Sequence, residues 1–167
     1  MMDMVQTYFS LGSNLGERRK NILSSVALME EYFSLRATAL SSIIETQPWG
    51  FESEDAFLNC AVRFDFPLCG ISPSLHAHAI LRLCKEIEKS LGREVHEPIY
   101  DKEGRRIYSS RPIDIDILLY GEERVTSPVL IIPHPLMSQR AFVMEPLLEI
   151  ASDKVKEAFG DIFQKWL

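Results

Sequence analysis

The segment RPIDIDILLY, residues 111–120, limits the possible folds of this chain more than any other stretch. Apolar residues alternate in it with Asp114 and Asp116, and a period of two residues is typical of a β-strand rather than a helix. Because successive strand side chains point to opposite faces, both aspartates lie on one face of the predicted strand 113–120. The isoleucines lie on the other face and need an apolar partner. We therefore expect a sheet with helices packed on the isoleucine side.

The remaining hydrophobic and turn patterns predict further strands and helices. Strands are expected at 5–11, 35–45 and 56–66, with a loop at 46–50. Helices are expected at 17–33 and at 73–91, the second with Ser72 as its N-cap and Gly92 at its C-terminal end. A hairpin with its turn at 101–104 and a last helix at 152–166 complete the series. The order β-α-β-β-α-β is typical of an α+β fold, the ferredoxin-like split βαβ plait, in which helices pack on a mostly antiparallel sheet.

The composition favours one globular domain, 1–167, and disfavours several classes of partner. Eighteen basic residues against 24 acidic ones give a formal charge of −6, whereas nucleic-acid and membrane-surface binders need a basic footprint. No stretch of about 18 apolar residues is present to span a bilayer. The three cysteines have apolar neighbours and form no CxxC pair, which favours reduced thiols and the cytoplasm. We expect a monomer with no nucleic-acid or membrane partner.

Asp114 and Asp116 are candidate metal ligands. Carboxylates two residues apart on one strand face lie about 7 Å from each other and repel. Divalent cations that bridge them remove this repulsion, and magnesium prefers carboxylates together with phosphate oxygens. Arg111 either neutralises the pair or points at a phosphate shared with the metal. The alternative is an exposed sheet face with two solvated acids.

Six segments, taken in their order along the chain, carry a resemblance to one known family. They are FSLGSNLGERRKNI (9–22), ETQPWGF (45–51), FLNCAV (57–62), EKSLGR (88–93), RPIDIDILLYG (111–121) and IIPHPLMSQRAFVMEPLLEI (131–150). Together they resemble the 6-hydroxymethyl-7,8-dihydropterin pyrophosphokinases of folate biosynthesis. The resemblance implies a ferredoxin-like fold, two Mg²⁺ ions, and transfer of the terminal diphosphate of ATP to the hydroxymethyl group of the pterin, with release of AMP.

The resemblance also implies roles for individual residues. Asp114 and Asp116 hold both magnesium ions, and Arg93 and Arg111 act with them in catalysis. The pterin-binding residues are Thr46, Gln47, Pro48, Trp49, Phe57, Asn59 and Phe142. The ATP-binding residues are Glu88, Arg93, Arg105, Arg106, Tyr108, Arg111, His134 and Arg140.

Residue chemistry supports some of these roles and leaves others open. Phe57 and Asn59 point to the same strand face, and the amide of Asn59 can donate and accept at once, which matches a pterin edge. Taken alone, Phe57 and Phe142 indicate ordinary core packing, and Glu88 is equally compatible with a solvated helix carboxylate. Which of Arg105 and Arg106 contacts ATP stays open as well.

The segment 93–110 departs from the family pattern. It is longer than expected and acidic residues lie among its arginines; Tyr108-Ser109-Ser110 stands where Trp-Gly-Pro is common. This departure suggests, as one alternative, a nucleotide- or pterin-binding module without turnover. A second alternative is a metal-dependent nucleotidyl transferase, which would need a further metal carboxylate on a neighbouring strand. Asp65 is the candidate for it.

Overall fold

The structure, a computed structural model, describes residues 3–46, 56–68, 70–92, 99–100, 102–104, 106–107 and 111–167. Its strands are β1 (Met4–Ser13), β2 (Ala39–Leu40), β3 (Ile44–Thr46), β4 (Phe57–Pro67), β5 (Ile99–Tyr100), β6 (Arg106–Ile107), β7 (Asp114–Tyr120), β8 (Val125–Thr126) and β9 (Ile131–Ile132). Its α-helices are α1 (Arg18–Phe33), α2 (Pro73–Ser90), α3 (Ala141–Ile150), α4 (Asp153–Ala158) and α5 (Gly160–Phe163). Two 3₁₀ helices cover Met137–Gln139 and Gln164–Trp166.

The main sheet has the order β2-β4-β1-β7, with β3 also paired to β4, and every pair is antiparallel. Helix α1 connects β1 to the β2–β3 side, and α2 connects β4 to β7. This arrangement is the predicted plait, in which β2 and β3 together occupy the second strand position. The third position is β4, which lies between them and β1. The predicted α+β fold is therefore confirmed. No helix in the described part of the chain has the length and apolar character needed to cross a membrane.

The two faces of the sheet bury different cores. We call the side that packs on α1 and α2 the helical face; it carries Phe9, Cys60 and Ile115 among others. We call the opposite side the C-terminal face; it carries Tyr8, Ala61 and Leu118, and it packs on α3, α4 and α5. The isoleucines of β7 lie on the helical face, as the alternating pattern predicts. Asp114 and Asp116 consequently lie on the C-terminal face.

Three predicted boundaries were wrong. Strand β1 does not end before Gly12 but continues through Ser13, because Gly12 pairs with residues of both neighbouring strands. The predicted strand 35–45 is divided into β2 and β3. The predicted helix 152–166 is divided at Phe159 into α4, α5 and a 3₁₀ turn, and buried Phe159 and Phe163 pack into the core of the C-terminal face. Helix α3, which carries Phe142, was not predicted as a helix.

Ser41 explains the break between β2 and β3. Its backbone N–H donates to the carbonyl oxygen of Ala61 at 2.9 Å, while its hydroxyl accepts from the N–H of Ala61 at 2.8 Å. A side-chain oxygen thus replaces a backbone carbonyl in the ladder, so that the chain stays attached to β4 while it changes direction. The hydroxyl also donates to the carbonyl of Ser42 at 2.9 Å.

We expect Ser41→Ala to lower the free energy of unfolding by about 1–3 kcal/mol, because it leaves the buried N–H of Ala61 without this acceptor. Ser42→Ala is the matched control. Ser42 is exposed and its hydroxyl donates to the exposed carboxylate of Glu149, so we expect a loss below about 0.5 kcal/mol. Urea unfolding followed by circular dichroism measures both variants. Equal losses would contradict the role given to Ser41.

Candidate active site

The pairing register places Asn59, Gly12 and Asp114 in one row across three neighbouring strands. Gly12 of β1 pairs with Asn59 of β4 on one side and with Asp114 of β7 on the other. Cross-strand partners point to the same face, so the amide and the carboxylate both project from the C-terminal face, with backbones about 10 Å apart. Gly12 contributes no side chain between them. The row is therefore a flat stretch of sheet surface, which we call the floor. The amide of Asn59 lies at one end of it and the carboxylate of Asp114 at the other.

Asp114 and Asp116 form an electrostatically unfavourable pair. Both side chains are half-buried, and Asp116 lies opposite Ser10 of β1. Burial first, and then the carboxylates of Asp114 and Glu88, raise the pKa of Asp116 to about 7 from its usual value of 3.8. Lys85 and Arg140 oppose this rise more weakly. The pair therefore holds a proton or a cation at neutral pH more readily than an ordinary surface acid does.

Arg111 lies beside the pair and is fixed by its backbone. Its guanidinium Nη1 is 3.4 Å from Oδ2 of Asp114. Its backbone N–H donates to Oδ1 of Asn14 at 2.7 Å, and its carbonyl accepts from the N–H of Asn14 at 3.1 Å. Asn14 is buried, so this two-point contact ties the segment that leads into β7 to the end of β1. The arginine is thereby directed towards the carboxylates.

His134 and Arg140 add further polar groups near the aspartates. The backbone N–H of His134 donates to the carbonyl of Leu118 in β7 at 3.0 Å. Burial and the charge of Arg140 lower the pKa of His134, while Asp114 raises it slightly. The imidazole is therefore neutral at pH 7 and can donate or accept one hydrogen bond. Arg140 in turn lowers the pKa of Asp116, so both side chains interact electrostatically with the carboxylate pair.

The other end of the row is shaped by Asn59 and its neighbours. Nδ2 of Asn59 donates to Oγ1 of Thr46 at 2.8 Å, and Thr46 pairs with Phe57 across β3 and β4. A Cβ atom on Gly12 would lie 2.9 Å from Oδ1 of Asn59 and 3.4 Å from Cδ1 of Phe57. The backbone of β1 thus approaches this amide and this ring as closely as glycine allows. Asn59 is buried and Phe57 is half-buried.

Phe142 lies on α3, which packs on the C-terminal face against β4. The ring is half-buried at the margin of that core. The guanidinium of Arg140 lies 5.7 Å from its centroid. The residues assigned to a pterin and to a nucleotide thus meet at the start of α3.

The structure brings several of the predicted site residues together. The strand register places Thr46, Phe57, Asn59, Asp114 and Asp116 on one face, while Arg111 contacts Asp114, His134 contacts β7, and Arg140 and Phe142 lie at the start of α3. Gln47, Pro48, Trp49, Arg93, Arg105 and Tyr108 lie outside the described residues, and Arg106 is described only as a backbone position in β6. Their assigned roles stay predictions. Asn14 was missed as an anchor, although its place directly after a strand and beside Gly12-Ser13 was a usable signal.

The structure contradicts the alternative in which Glu88 is a solvated helix carboxylate. It is only 3% exposed, and its Oε2 accepts from the backbone N–H of Ile115 at 2.8 Å. It therefore contacts β7 itself, between the two aspartates. Its predicted contact with ATP is not tested.

The carboxylates fit a divalent cation of the magnesium type. Two acids lie on one face, and burial together with the carboxylate of Asp114 raises the pKa of Asp116, so a hard cation would stabilise this donor set. Among the described residues, no group of three or more His, Cys, Asp or Glu side chains has the arrangement of a complete protein-only metal site. A magnesium site here would thus depend on the ligands of a bound substrate.

Asp65 does not belong to this site. It pairs with Gln6, four residues along β1 from Ser10, the partner of Asp116, so it is about 13 Å away along the strand direction. Both oxygens of Asp65 accept from the guanidinium of Arg63, at 2.8 and 2.9 Å. The further carboxylate that a nucleotidyl transferase would need is therefore not supplied by Asp65.

We expect Asp116→Asn to stabilise the metal-free protein at pH 8 on the order of 2 kcal/mol, because it removes a charge that folding disfavours. The unfolded carboxyl has a pKa near 3.8 and the folded one near 7. The cost of the charge is absent below the first value, grows between the two and is complete above the second. The gain should therefore be smaller at pH 5. Urea unfolding in a chelating buffer measures it.

The exposed carboxylate of Asp161 supplies the control. Asp161→Asn should change the free energy of unfolding by less than about 0.5 kcal/mol at both pH values. A gain for Asp116→Asn that does not depend on pH would contradict the electrostatic explanation.

Comparison with known proteins identifies the family. A sequence model of the family described as 7,8-dihydro-6-hydroxymethylpterin-pyrophosphokinase (HPPK) matches residues 8–152. The 2-amino-4-hydroxy-6-hydroxymethyldihydropteridine pyrophosphokinase of Bacillus subtilis is 39% identical over 90% of this chain and 81% of its own length. The protein of the same name from Porphyromonas gingivalis is 40% identical over 89% of this chain and 92% of its own.

Larger proteins contain similar segments. A folate synthesis bifunctional protein of Arabidopsis thaliana is 35% identical over 96% of this chain, which corresponds to 33% of that protein. The crystal structure of an HPPK-DHPS in complex with substrates has a TM-score of 0.61 at 13% identity, and it is similar in fold over 99% of this chain. The present chain spans 44% of that solved chain. Because the family model and the bacterial relatives match nearly the whole sequence, this chain belongs to the 7,8-dihydro-6-hydroxymethylpterin-pyrophosphokinase family.

Proposed function

We propose that this chain transfers the diphosphate of ATP to the hydroxymethyl group of 6-hydroxymethyl-7,8-dihydropterin, giving AMP and the pterin diphosphate. The observation that carries the proposal is the row Asn59–Gly12–Asp114. It supports a flat heterocycle recognised at one end and a metal-bound polyphosphate at the other, over a floor without an intervening side chain. Family membership supports the same reaction.

The pterin would bind over β4. Asn59 presents an amide oriented by Thr46, and an amide matches the paired donors and acceptors of a pterin edge. Phe57 and Phe142 supply aromatic surface for the ring, as the resemblance implies. We place Gln47, Pro48 and Trp49 in the same pocket on the resemblance alone.

The triphosphate would bind over β7. Arg111 and Arg140 supply guanidinium groups near the aspartates, and His134 supplies a neutral imidazole. Guanidinium groups bind phosphate oxygens through paired hydrogen bonds and neutralise developing charge. Arg93, Arg105, Arg106 and Tyr108 extend this set by the resemblance, whereas the buried carboxylate of Glu88 is directed at the backbone of β7.

Asp114 and Asp116 would hold two Mg²⁺ ions. Bound there, the ions would supply Lewis acidity that withdraws charge from the phosphorus that is attacked. The two aspartates fit this role because their own repulsion favours a cation between them.

The reaction would join the hydroxymethyl oxygen to the β-phosphorus and break the bond from that phosphorus to the oxygen retained by AMP. The row across Gly12 sets the distance between the two reactants, and holding reactants in position can contribute several kcal/mol to a transfer of this kind. Among the described residues, no side chain stands out as the base for the hydroxyl proton. Positioning and charge neutralisation by Arg111 and Arg140 account for the protein's share.

The proposal is tested by mixing the protein with ATP, Mg²⁺ and 6-hydroxymethyl-7,8-dihydropterin and following ³¹P resonances. We expect AMP and a pterin diphosphate to appear together. Pyrophosphate release would instead indicate a nucleotidyl transferase, and tight pterin binding without turnover would indicate a binding module. Asp116→Asn should abolish turnover while it remains folded. Asp65→Asn should retain turnover, whereas a nucleotidyl transferase that uses Asp65 would lose it.

Gly12→Ala tests the floor between the substrates. The added methyl group meets Oδ1 of Asn59, which cannot retreat without breaking its contact with Thr46. We expect the KM for the pterin to rise about tenfold or more, which is about 1.4 kcal/mol, while the affinity for ATP changes little. Gly160→Ala is the control, because no atom lies within 4 Å of its added Cβ. An unchanged pterin KM in Gly12→Ala would place the pterin elsewhere.

A further inference from the structure

Glu88 is a buried carboxylate whose position calls for a reason. Its residue is 3% exposed, and ionised side chains are rarely so buried unless they have partners. Oε2 accepts from the N–H of Ile115 at 2.8 Å, and Oε1 lies 3.6 Å from Nζ of Lys85 one turn earlier on α2. The carboxylate is therefore directed at the backbone of β7.

Ile115 lies between the two aspartates, at the outer edge of the sheet. Strand β7 is the last strand in the order β2-β4-β1-β7. In an antiparallel edge strand, alternate N–H groups point away from the sheet and need another acceptor. Glu88 supplies that acceptor from α2, on the helical face, for the one residue that separates Asp114 from Asp116.

This contact holds the backbone of the residue between the two carboxylates. A strand that shifts or twists at its edge rotates consecutive side chains, so the spacing of residues i and i+2 depends on the backbone of residue i+1. On the opposite side, Gly12 and Ser10 of β1 pair with Asp114 and Asp116. The backbone between the aspartates is thus held from both edges.

We propose that Glu88 is a positioning residue for β7, the strand that carries Asp114 and Asp116. Its carboxylate acts as a hydrogen-bond acceptor for the backbone N–H of Ile115, and it is a ligand neither of ATP nor of a cation. The inference rests on the proposed function, in which Asp114 and Asp116 hold the magnesium ions. Groups that orient metal ligands commonly affect metal affinity and turnover although they never touch the metal.

Two substitutions distinguish the effect of the acceptor oxygen's position from the effect of the negative charge. Glu88→Gln removes the charge but keeps an oxygen at the same distance from Ile115. Glu88→Asp keeps the charge but withdraws it by about one C–C bond, 1.5 Å, so that the hydrogen bond is lost. Glu86→Gln is the matched control, since Glu86 lies on the same helix with an exposed side chain.

Three measurements apply to each variant. They are exchange of the Ile115 amide proton by NMR, Mn²⁺ affinity by electron paramagnetic resonance with a non-hydrolysable ATP analogue, and the kcat and KM of the transfer. For Glu88→Asp we expect faster Ile115 exchange, about tenfold weaker Mn²⁺ binding and about tenfold lower kcat, with an unchanged pterin KM. Glu88→Gln should stay within about threefold of the wild-type protein in each measurement, and Glu86→Gln should match it.

The opposite ranking would overturn the inference. If Glu88→Gln loses as much Mn²⁺ affinity as Glu88→Asp or more, the charge acts directly on the site. Unchanged Mn²⁺ binding in Glu88→Asp, with faster Ile115 exchange, would mean that the hydrogen bond has no effect on the metal. A wild-type protein that binds Mn²⁺ but shows no transfer would contradict the proposed function, while the Mn²⁺ and exchange data still decide the role of Glu88.

Discussion

Electrostatic repulsion between Asp114 and Asp116 is the constraint around which the site is organised. Burial first, and then the nearby carboxylate of Asp114, raise the pKa of Asp116 to about 7, so folding disfavours the charged form of this pair. The packing of the other face of β7 offsets this cost and keeps the two carboxylates in place. The alternating isoleucines lock the other face of β7 into the main core, so the carboxylates cannot separate without disrupting buried packing.

The central strand β1 connects the two halves of the site. It pairs with β4 along one edge and with β7 along the other, and its last residues bring Asn59 and Asp114 into register. Register in a sheet is specified by which side chains must be buried, since a shift of one residue would turn Phe9 and Leu11 out of the core. The alignment of an amide with a carboxylate is therefore a consequence of hydrophobic burial. The chemistry of the site uses a geometry that the core stabilises.

Local sequence patterns predicted the strands and helices that depend only on residues close to one another in the sequence. The alternation in β7 and the Ser72-Pro73 start of α2 were sufficient for strand and helix, and Ser72 does accept from the N–H of Leu75 at 3.1 Å. The break at Ser41 was not predictable in this way, because it depends on Ala61, twenty residues away. Gly12 was predicted to end a strand because its contacts, too, are with residues that are distant in the sequence. Its small size serves a close contact with Asn59, which only the pairing of β1 with β4 reveals.

Asn14 and Glu88 illustrate the same limit within the site. Residue type and the resemblance assigned Glu88 to solvent or to ATP, yet it reaches Ile115 over 27 residues of sequence, and Asn14 reaches Arg111 over 97. Both contacts end on backbone groups, which carry no sequence signal. Together they secure β7 at its free edge and at its entry, on either side of Asp114. A carboxylate pair on an edge strand needs such contacts, because the main sheet supports that strand from one side only. The precision of the carboxylate pair therefore depends on side chains that do not themselves belong to it.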